Sequence, residues 1–413
     1  MACRFTVGDE WRTHRRLFNQ AFNVKAARKY EPRESVATHL PLERMLTSPD
    51  AFMDHFRQMA GEIIMSVAYG IDVQPSNDPY VTLAHKAVYT FSIASIPGLY
   101  LVVGPAVLIF VPTHSILFQD TLPILKHIPA WFPGAGFKRQ AQEWRKLSRG
   151  MLELPFAETK RQMASGIAPS SFTADSLNAL KNADNVFYNE HHVQATAGPT
   201  MYIGGADTTV SALGTFILAM LANPDAQKKA QAEIDSITGR ACLPNFEDRD
   251  SMPYVSALVK DVLRWRSLFP AFLDDEYRGY RLPAGSLVIG NAWALLHDEA
   301  LYPDPRAFKP ERFLLDGRLN PAVKDPESAF GFGRRLCPGR HMAISSIWIT
   351  VASMLATFNI KKALDVKGND IEPSYEYISG IISAPLPFKC SISPRSSEAV
   401  ALVQAAVNDI HRN

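Results

Sequence analysis

The stretch Phe330-Gly-Phe-Gly-Arg-Arg-Leu-Cys-Pro-Gly339 decides how the rest of this chain is read. Glycines 331, 333 and 339 surround one cysteine, Cys337. Glycine permits the backbone conformations of a tight turn and lets a flat group approach the main chain closely. Amide N–H groups of such a turn can point at the sulfur. The apolar run from about His341 to Phe358 predicts a helix whose positive N-terminal end lies near the same atom. A lone cysteine is most often a buried structural side chain. These neighbours suit a stabilised thiolate instead, with Phe330 placed to pack beside a planar ligand and Arg335 to pair with its acid groups.

A second motif precedes it. Gly204-Gly-Ala-Asp-Thr-Thr209 lies inside a long apolar helix pattern, His191 to Ala222, that Asn223-Pro224 ends. Adjacent glycines and hydroxyl residues are poor choices for a helix interior. Thr208 can divert a backbone hydrogen bond and open a kink, and Asp207 beside it can relay protons. Such a polar notch taken alone is more often a packing or capping feature. Asp261 and Arg264 stand one helical turn apart and can pair; an isolated pair of this kind is usually a solvated contact of little value.

The pattern FxxGxRxCxG is met at Phe330, Gly333, Arg335, Cys337 and Gly339, and it resembles the haem-binding loop of the cytochrome P-450 family. The resemblance implies haem b held by Cys337 as axial ligand, with a propionate paired to Arg335. It implies that Asp207 and Thr208 belong to the oxygen-activation motif and deliver protons. Trp11-Arg-Thr-His-Arg15 resembles the family's WxxxR, which implies that Trp11 and Arg15 contact propionates. The family joins a buried Glu-x-x-Arg pair to an arginine from a later loop; here Asp261 replaces the glutamate, and Arg312 in Pro310-Glu-Arg-Phe313 is the later arginine. Asp is one methylene shorter, and breaking a buried ion pair costs roughly 3–5 kcal/mol, so a poor fit would weaken folding and haem retention. A thiolate ligand pushes electron density onto iron and favours O–O cleavage.

The implied fold is mainly α with small β-sheets, a single domain over residues 1–413 lacking the family's N-terminal anchor, first helix and part of its N-terminal sheet. The implied reaction is monooxygenation of a hydrophobic small molecule, with electrons from NADPH through a reductase and cytochrome b5 as a further partner. The implied location is the membrane surface on the cytosolic face of the endoplasmic reticulum. Trp131-Phe-Pro-Gly-Ala-Gly-Phe-Lys138 and Asn291-Ala-Trp-Ala-Leu-Leu-His-Asp298 are most similar to fungal, particularly basidiomycete, members of secondary metabolism. Some of those are described as similar to O-methylsterigmatocystin oxidoreductase. Two alternatives stay open: a peroxide-using haem-thiolate enzyme, and a truncated or misassembled product without activity.

Composition agrees with a large globular domain. The 413 residues are 47% hydrophobic and 20% charged, with a formal net charge of +2, so no strong field points to nucleic acid. The four cysteines, 3, 242, 337 and 390, form no CxxC pair, which argues against a disulfide framework. Helices are expected over Trp11–Ala27, Phe52–Tyr69, Phe137–Ser165 with a break near Pro155, Asp225–Ile237 and Asp250–Trp265. Short strands are expected over Tyr280–Ile289 and a β-hairpin over Ser374–Ile392. Basic Arg12, His14 and Arg16 would suit an acidic redox partner or simply form a solvated face.

Three features depart from the family. The segment that usually precedes the Trp11 helix is missing. Arg264–Asp274 is shorter than its counterpart. Val103–Gln119 interrupts family-like sequence and reads as a retained intron. That segment overlaps Ala87–Thr113, which has no charged residue and the length of a bilayer span. Pro97, Gly98, Gly104, Pro105 and Pro112 interrupt any helix there.

Overall fold

The computed structural model describes residues 8–75, 77–94, 100–102, 108–110, 129, 131–132, 136–182, 187–265, 276–277, 280–281, 290–378 and 382–412. The chain divides into two compact units. One comprises Met1–Ala21, Gly61–Gly205 and Ser379–Ile381; the other comprises Phe22–Ala60, Ala206–Ile378 and Ile382–Asn413. Helices dominate, with small antiparallel sheets.

The first unit contains most of α1 (Gly8–Phe22), which opens on Asp9 and Glu10 at the positive end of its dipole. Helix α2 (Glu31–Thr47) belongs to the second unit, and α3 (Phe52–Tyr69) passes from the second into the first. In the first unit, α4 (Pro79–Ala94) packs on α5 (Gly136–Ala164), which also meets α6 (Phe172–Asn182) and α7 (Glu190–Ala195). Asn189 caps α7 by accepting from His192 N–H at 3.1 Å.

The expected break at Pro155 does not occur: α5 is continuous across it. Proline removes one N–H from the ladder, but outside contacts hold this turn. The buried Thr159 hydroxyl reaches Pro155 O at 3.1 Å and Tyr69 O at 2.9 Å.

The second unit is built on α12 (Arg340–Thr357), which packs against α2, α9 (Pro224–Thr238), α10 (Pro253–Trp265) and α13 (Ser397–Arg412). The intervening α8 (Ile203–Ala222) supplies a fully buried apolar stretch, and α11 is the short helix Ala292–Leu296. Helix α9 starts with Pro224 in its first turn and stops at Gly239, whose φ is +60°. Trp348, Phe216, Phe313 and Phe358 fill the core.

A strand over Phe358–Leu364 follows α12 and lies between Asp370–Ile371 and Cys390–Pro394, both antiparallel to it. The expected hairpin over Ser374–Ile392 is therefore only partly formed. Tyr377 and Pro385 bridge each other, but Cys390–Pro394 pairs with the strand after α12, placing Ile392 opposite Ile360. The rest of the Phe358–Ile360 edge is taken by side chains of α9. Gln227 exchanges both amide bonds with Ile360 at 2.8 Å, and Gln231 donates to Phe358 O at 3.0 Å.

Tyr280–Arg281 pairs with Glu276–Tyr277, and Tyr100–Val102 with Leu108–Phe110. The remainder of the Tyr280–Ile289 expectation, the shortened 266–274 loop and most of the 103–119 insertion lie outside the described residues, as does most of the 87–113 candidate span beyond α4. Among the described residues, one helix, Glu190–Ala222, is long and apolar enough to cross a membrane, and 78% of its most apolar window is buried.

Candidate active site

The cysteine loop is assembled by backbone geometry. Gly331 holds φ +90° and ψ −156°, a region open in practice only to glycine, and Gly333 holds φ +50°. The turn closes when Cys337 N–H donates to Phe330 O at 2.8 Å and Arg335 N–H to Phe332 O at 3.1 Å. Gly339 has an ordinary φ of −87°. Its role is to start α12, accepting from Ala343 N–H at 2.9 Å. Cys337 thus sits three residues before the first residue of an α-helix, at the end where the dipole favours negative charge. Among the described residues no disulfide involves it.

Exposure changes sharply along this segment. Residues 330 to 341 all retain accessible surface, including Phe330, Arg335 and Cys337, whereas 345 to 355 are buried without interruption.

Helix α8 also has an open stretch. Residues 209 to 221 are buried, but Ile203, Gly204, Gly205, Asp207 and Thr208 are partly open. A Cβ on Gly204 would meet nothing within 4 Å. On Gly205 it would lie 2.4 Å from Ile64 Cδ1, so that glycine is needed for close packing. The irregular turn is not at Thr208, where the sequence suggested it, but at Thr196–Tyr202, which winds as a π-helix. Pro199 has no N–H to give Ala195 O, and the Thr200 hydroxyl takes that acceptor at 3.3 Å. Pro199 is the sequence signal that could have located this turn.

Asp261, Arg264 and Arg312 come together as a buried network. Arg264 Nε lies 2.5 Å and Arg312 Nε 3.1 Å from Asp261 Oδ1, with side-chain exposures of 0%, 4% and 0% for Arg264, Arg312 and Asp261. Lys309 N–H donates to Asp261 Oδ2 at 2.5 Å. Arg264 also donates to the carbonyls of Leu296, Pro305 and Ala307, and Arg312 to those of Pro303, Asp304 and Ala307. The shorter aspartate therefore meets both arginines and the Lys309 N–H at once.

Trp11 and Arg15 lie four residues apart on α1 in the first unit, both half-exposed. The basic face expected around them is only partly real. Arg12 pairs with Asp9 at 2.6 Å, and Arg16 lies 4.0 Å from the centre of the Phe187 ring. His14 is fully buried. Its Nδ1 meets Thr196 Oγ1 at 2.8 Å. The Thr196 hydroxyl already donates to His192 O at 2.7 Å, so His14 Nδ1 is the donor and Nε2 is left as a lone pair, 4.0 Å from Glu10. Burial, reinforced by nearby His192, pushes the His14 pKa down to about 4.

A sequence model described as cytochrome P450 matches residues 3–392. The chain belongs to the cytochrome P450 family. Cytochrome P450 monooxygenase 98 of Postia placenta is 42% identical over 97% of this chain and 75% of its own length. A cytochrome P450 monooxygenase of Armillaria gallica is 41% identical over 96% and 75%. Tryptamine 4-monooxygenase of Psilocybe cyanescens is 36% identical over 96% and 76%. This P450 is accordingly a haem-thiolate monooxygenase of fungal type. Its residues fit haem: a thiol at a helix N-terminus, a glycine-held loop that stays open over residues 330–341, a half-exposed arginine in that loop, and an opening in α8 beside two glycines.

Proposed function

We propose that this P450 oxidises a hydrophobic small molecule of secondary metabolism or xenobiotic type, a terpenoid, polyketide, steroid or polycyclic aromatic among them. One relative's name specifies tryptamine, so a compact aromatic substrate belongs to the same range. Electrons come from NADPH through cytochrome P450 reductase, with cytochrome b5 as a second donor. The location we assign is the endoplasmic-reticulum membrane surface on its cytosolic side, following the membrane habit of fungal members.

Bound haem supplies an iron centre that activates dioxygen for insertion of one atom into substrate. The chain's own residues then have separable tasks. Cys337 would hold the haem iron through its sulfur, and the N-terminal end of α12 would favour the thiolate form. Phe330 would pack beside the haem ring, and Gly333 and Gly339 would let the loop approach it. Arg335, with Trp11 and Arg15, would hold the haem propionates. Asp207 would take up protons from solvent, and the Thr208 hydroxyl would hold them toward the reaction site. Asp261, Arg264 and Arg312 brace the fold behind the loop.

The observation that carries this reading is the position of Cys337: partly open, in a loop closed by Gly331 and Gly333, at the start of a helix buried for its next three turns. The test is the reduced carbon-monoxide difference spectrum of the purified chain. The red-shifted Soret band that gives the family its name supports thiolate ligation. A blue-shifted band with fully incorporated haem refutes it.

A further inference from the structure

Three hydroxyl groups that belong to no motif tie a hairpin to α8. Ser211 Oγ donates to Ser383 O at 2.5 Å. One turn on, the Tyr377 hydroxyl donates to Thr215 Oγ1 at 3.0 Å, and Thr215 donates to Ser211 O at 2.9 Å. Between them, a Cβ on Gly214 would lie 3.0 Å from Pro385 Cγ and 3.2 Å from Met53 Cε, so the hairpin rests directly on the helix backbone there. Its two arms are joined by Ile378 N–H to Ala384 O at 2.8 Å and Leu386 N–H to Glu376 O at 2.9 Å. All these residues lie in the second unit.

The placement has a direction. Ser211 follows Asp207 by four residues and Thr208 by three, so it stands on their stripe, roughly 5–6 Å along the axis. The hairpin arm ending at Ser383 therefore meets α8 one turn from the acid–threonine pair. Ser211 and Thr215 are 2% and 3% exposed, so water cannot satisfy hydroxyls that lose their partners. Alanine or valine would suit an apolar helix interior as well for packing alone. Hydroxyls here fix the hairpin at one height against α8.

We propose that Ser211, Thr215 and Tyr377 form a positioning latch that sets how far the Ile382–Ala384 arm stands over Asp207 and Thr208, and so fixes the shape of the substrate pocket. The inference rests on the monooxygenase reading above. None of the three residues touches the reacting atoms; they act through the hairpin.

The test uses the haem-loaded full chain and two ligands, unsubstituted imidazole and 4-phenylimidazole, titrated by difference spectroscopy. Imidazole reports access to iron, and the phenyl group reports the wall beyond it. Ser211→Ala and Tyr377→Phe are expected to keep the reduced carbon-monoxide band and bind imidazole within about twofold of the parent. They are expected to change 4-phenylimidazole affinity by roughly three- to tenfold, the worth of one buried hydrogen bond. Ser211→Thr, which restores the donor, should return the parent ratio of the two affinities. Tyr377→Phe removes one oxygen and leaves no cavity, so it decides the matter where Ser211→Ala loses haem. An unchanged ratio in Tyr377→Phe, in a parent protein with the thiolate band, overturns the latch alone. A parent chain that binds neither azole overturns the monooxygenase reading and the latch with it.

Discussion

Arg264 Nε lies 2.5 Å from Asp261 Oδ1 with both side chains fully buried. Neither charge can be given back to water, so each depends on the other. Asp261→Asn leaves Arg264 and Arg312 buried without an anion and should destabilise by roughly 3–5 kcal/mol. Asp261→Glu restores the residue usual in the family but adds a methylene to a filled site. Its expected cost is smaller, about 1–3 kcal/mol, from overpacking. Denaturant unfolding of the three proteins checks this order; a glutamate variant as stable as the parent would show that the site has room for the extra methylene.

Removing the sulfur tests the ligand directly. Cys337→Ala is expected to abolish the thiolate-type carbon-monoxide spectrum while leaving secondary structure unchanged by circular dichroism. Gly331→Ala keeps the sulfur but forces a side chain into φ +90°, with an expected cost of roughly 1–3 kcal/mol. Lower haem occupancy at unchanged spectral position is the outcome that distinguishes loop strain from ligand loss.

If Thr208 holds the proposed place in the proton relay, Thr208→Ala should raise the hydrogen peroxide released per NADPH consumed. Asp207→Asn should slow turnover with a smaller change in that ratio. Identical coupling in Thr208→Ala and parent would remove Thr208 from the relay.

Two buried groups give stability opposite slopes with pH. Glu34 on α2 is fully buried, and the hydroxyls of Ser345 and Ser346 beside it offset only part of the cost of that burial. Burial raises its pKa from the ordinary 4.5 to about 8. The folded state keeps the proton that the unfolded chain loses, so this contribution is complete below pH 4.5 and is lost as pH rises to 8, by up to ~1.4 kcal/mol per pH unit. His14, lowered from 6.5 to about 4, works the other way: its contribution is complete above pH 6.5 and is lost as pH falls to 4. Thermal unfolding across this range should show a flatter alkaline limb in Glu34→Gln and a flatter acid limb in His14→Gln. Parallel curves for variant and parent would contradict the assignment.

Local signals carried much of this reading. The helix Phe52–Tyr69 is written in its apolar spacing and the glycine that follows it, and its bounds match. The Asp261–Arg264 pair follows from spacing on one helix. The contacts that were not legible are those made by distant partners. Alternation around Cys390 announces a strand but does not name Phe358–Leu364 as its neighbour, and the hairpin expectation chose the nearer candidate. His14 sits among arginines and reads as part of a wet basic face; only Thr196, far along the chain, shows that it points inward. Pro155 is a helix breaker in isolation, and the hydroxyl of Thr159 that rescues its turn acts through a tertiary contact with Tyr69.

The two glutamines of α9 have a consequence for how this chain behaves in company. Four helical residues rise about 6 Å, close to the ~6.6 Å spanned by two strand residues, so Gln227 and Gln231 match Ile360 and Phe358 in register. Two side chains thereby impersonate a neighbouring strand. Because the impostor belongs to the same molecule, the start of the central strand offers no template on which a second copy could add itself, and a protein with a large apolar interior is shielded there from fibrous self-association.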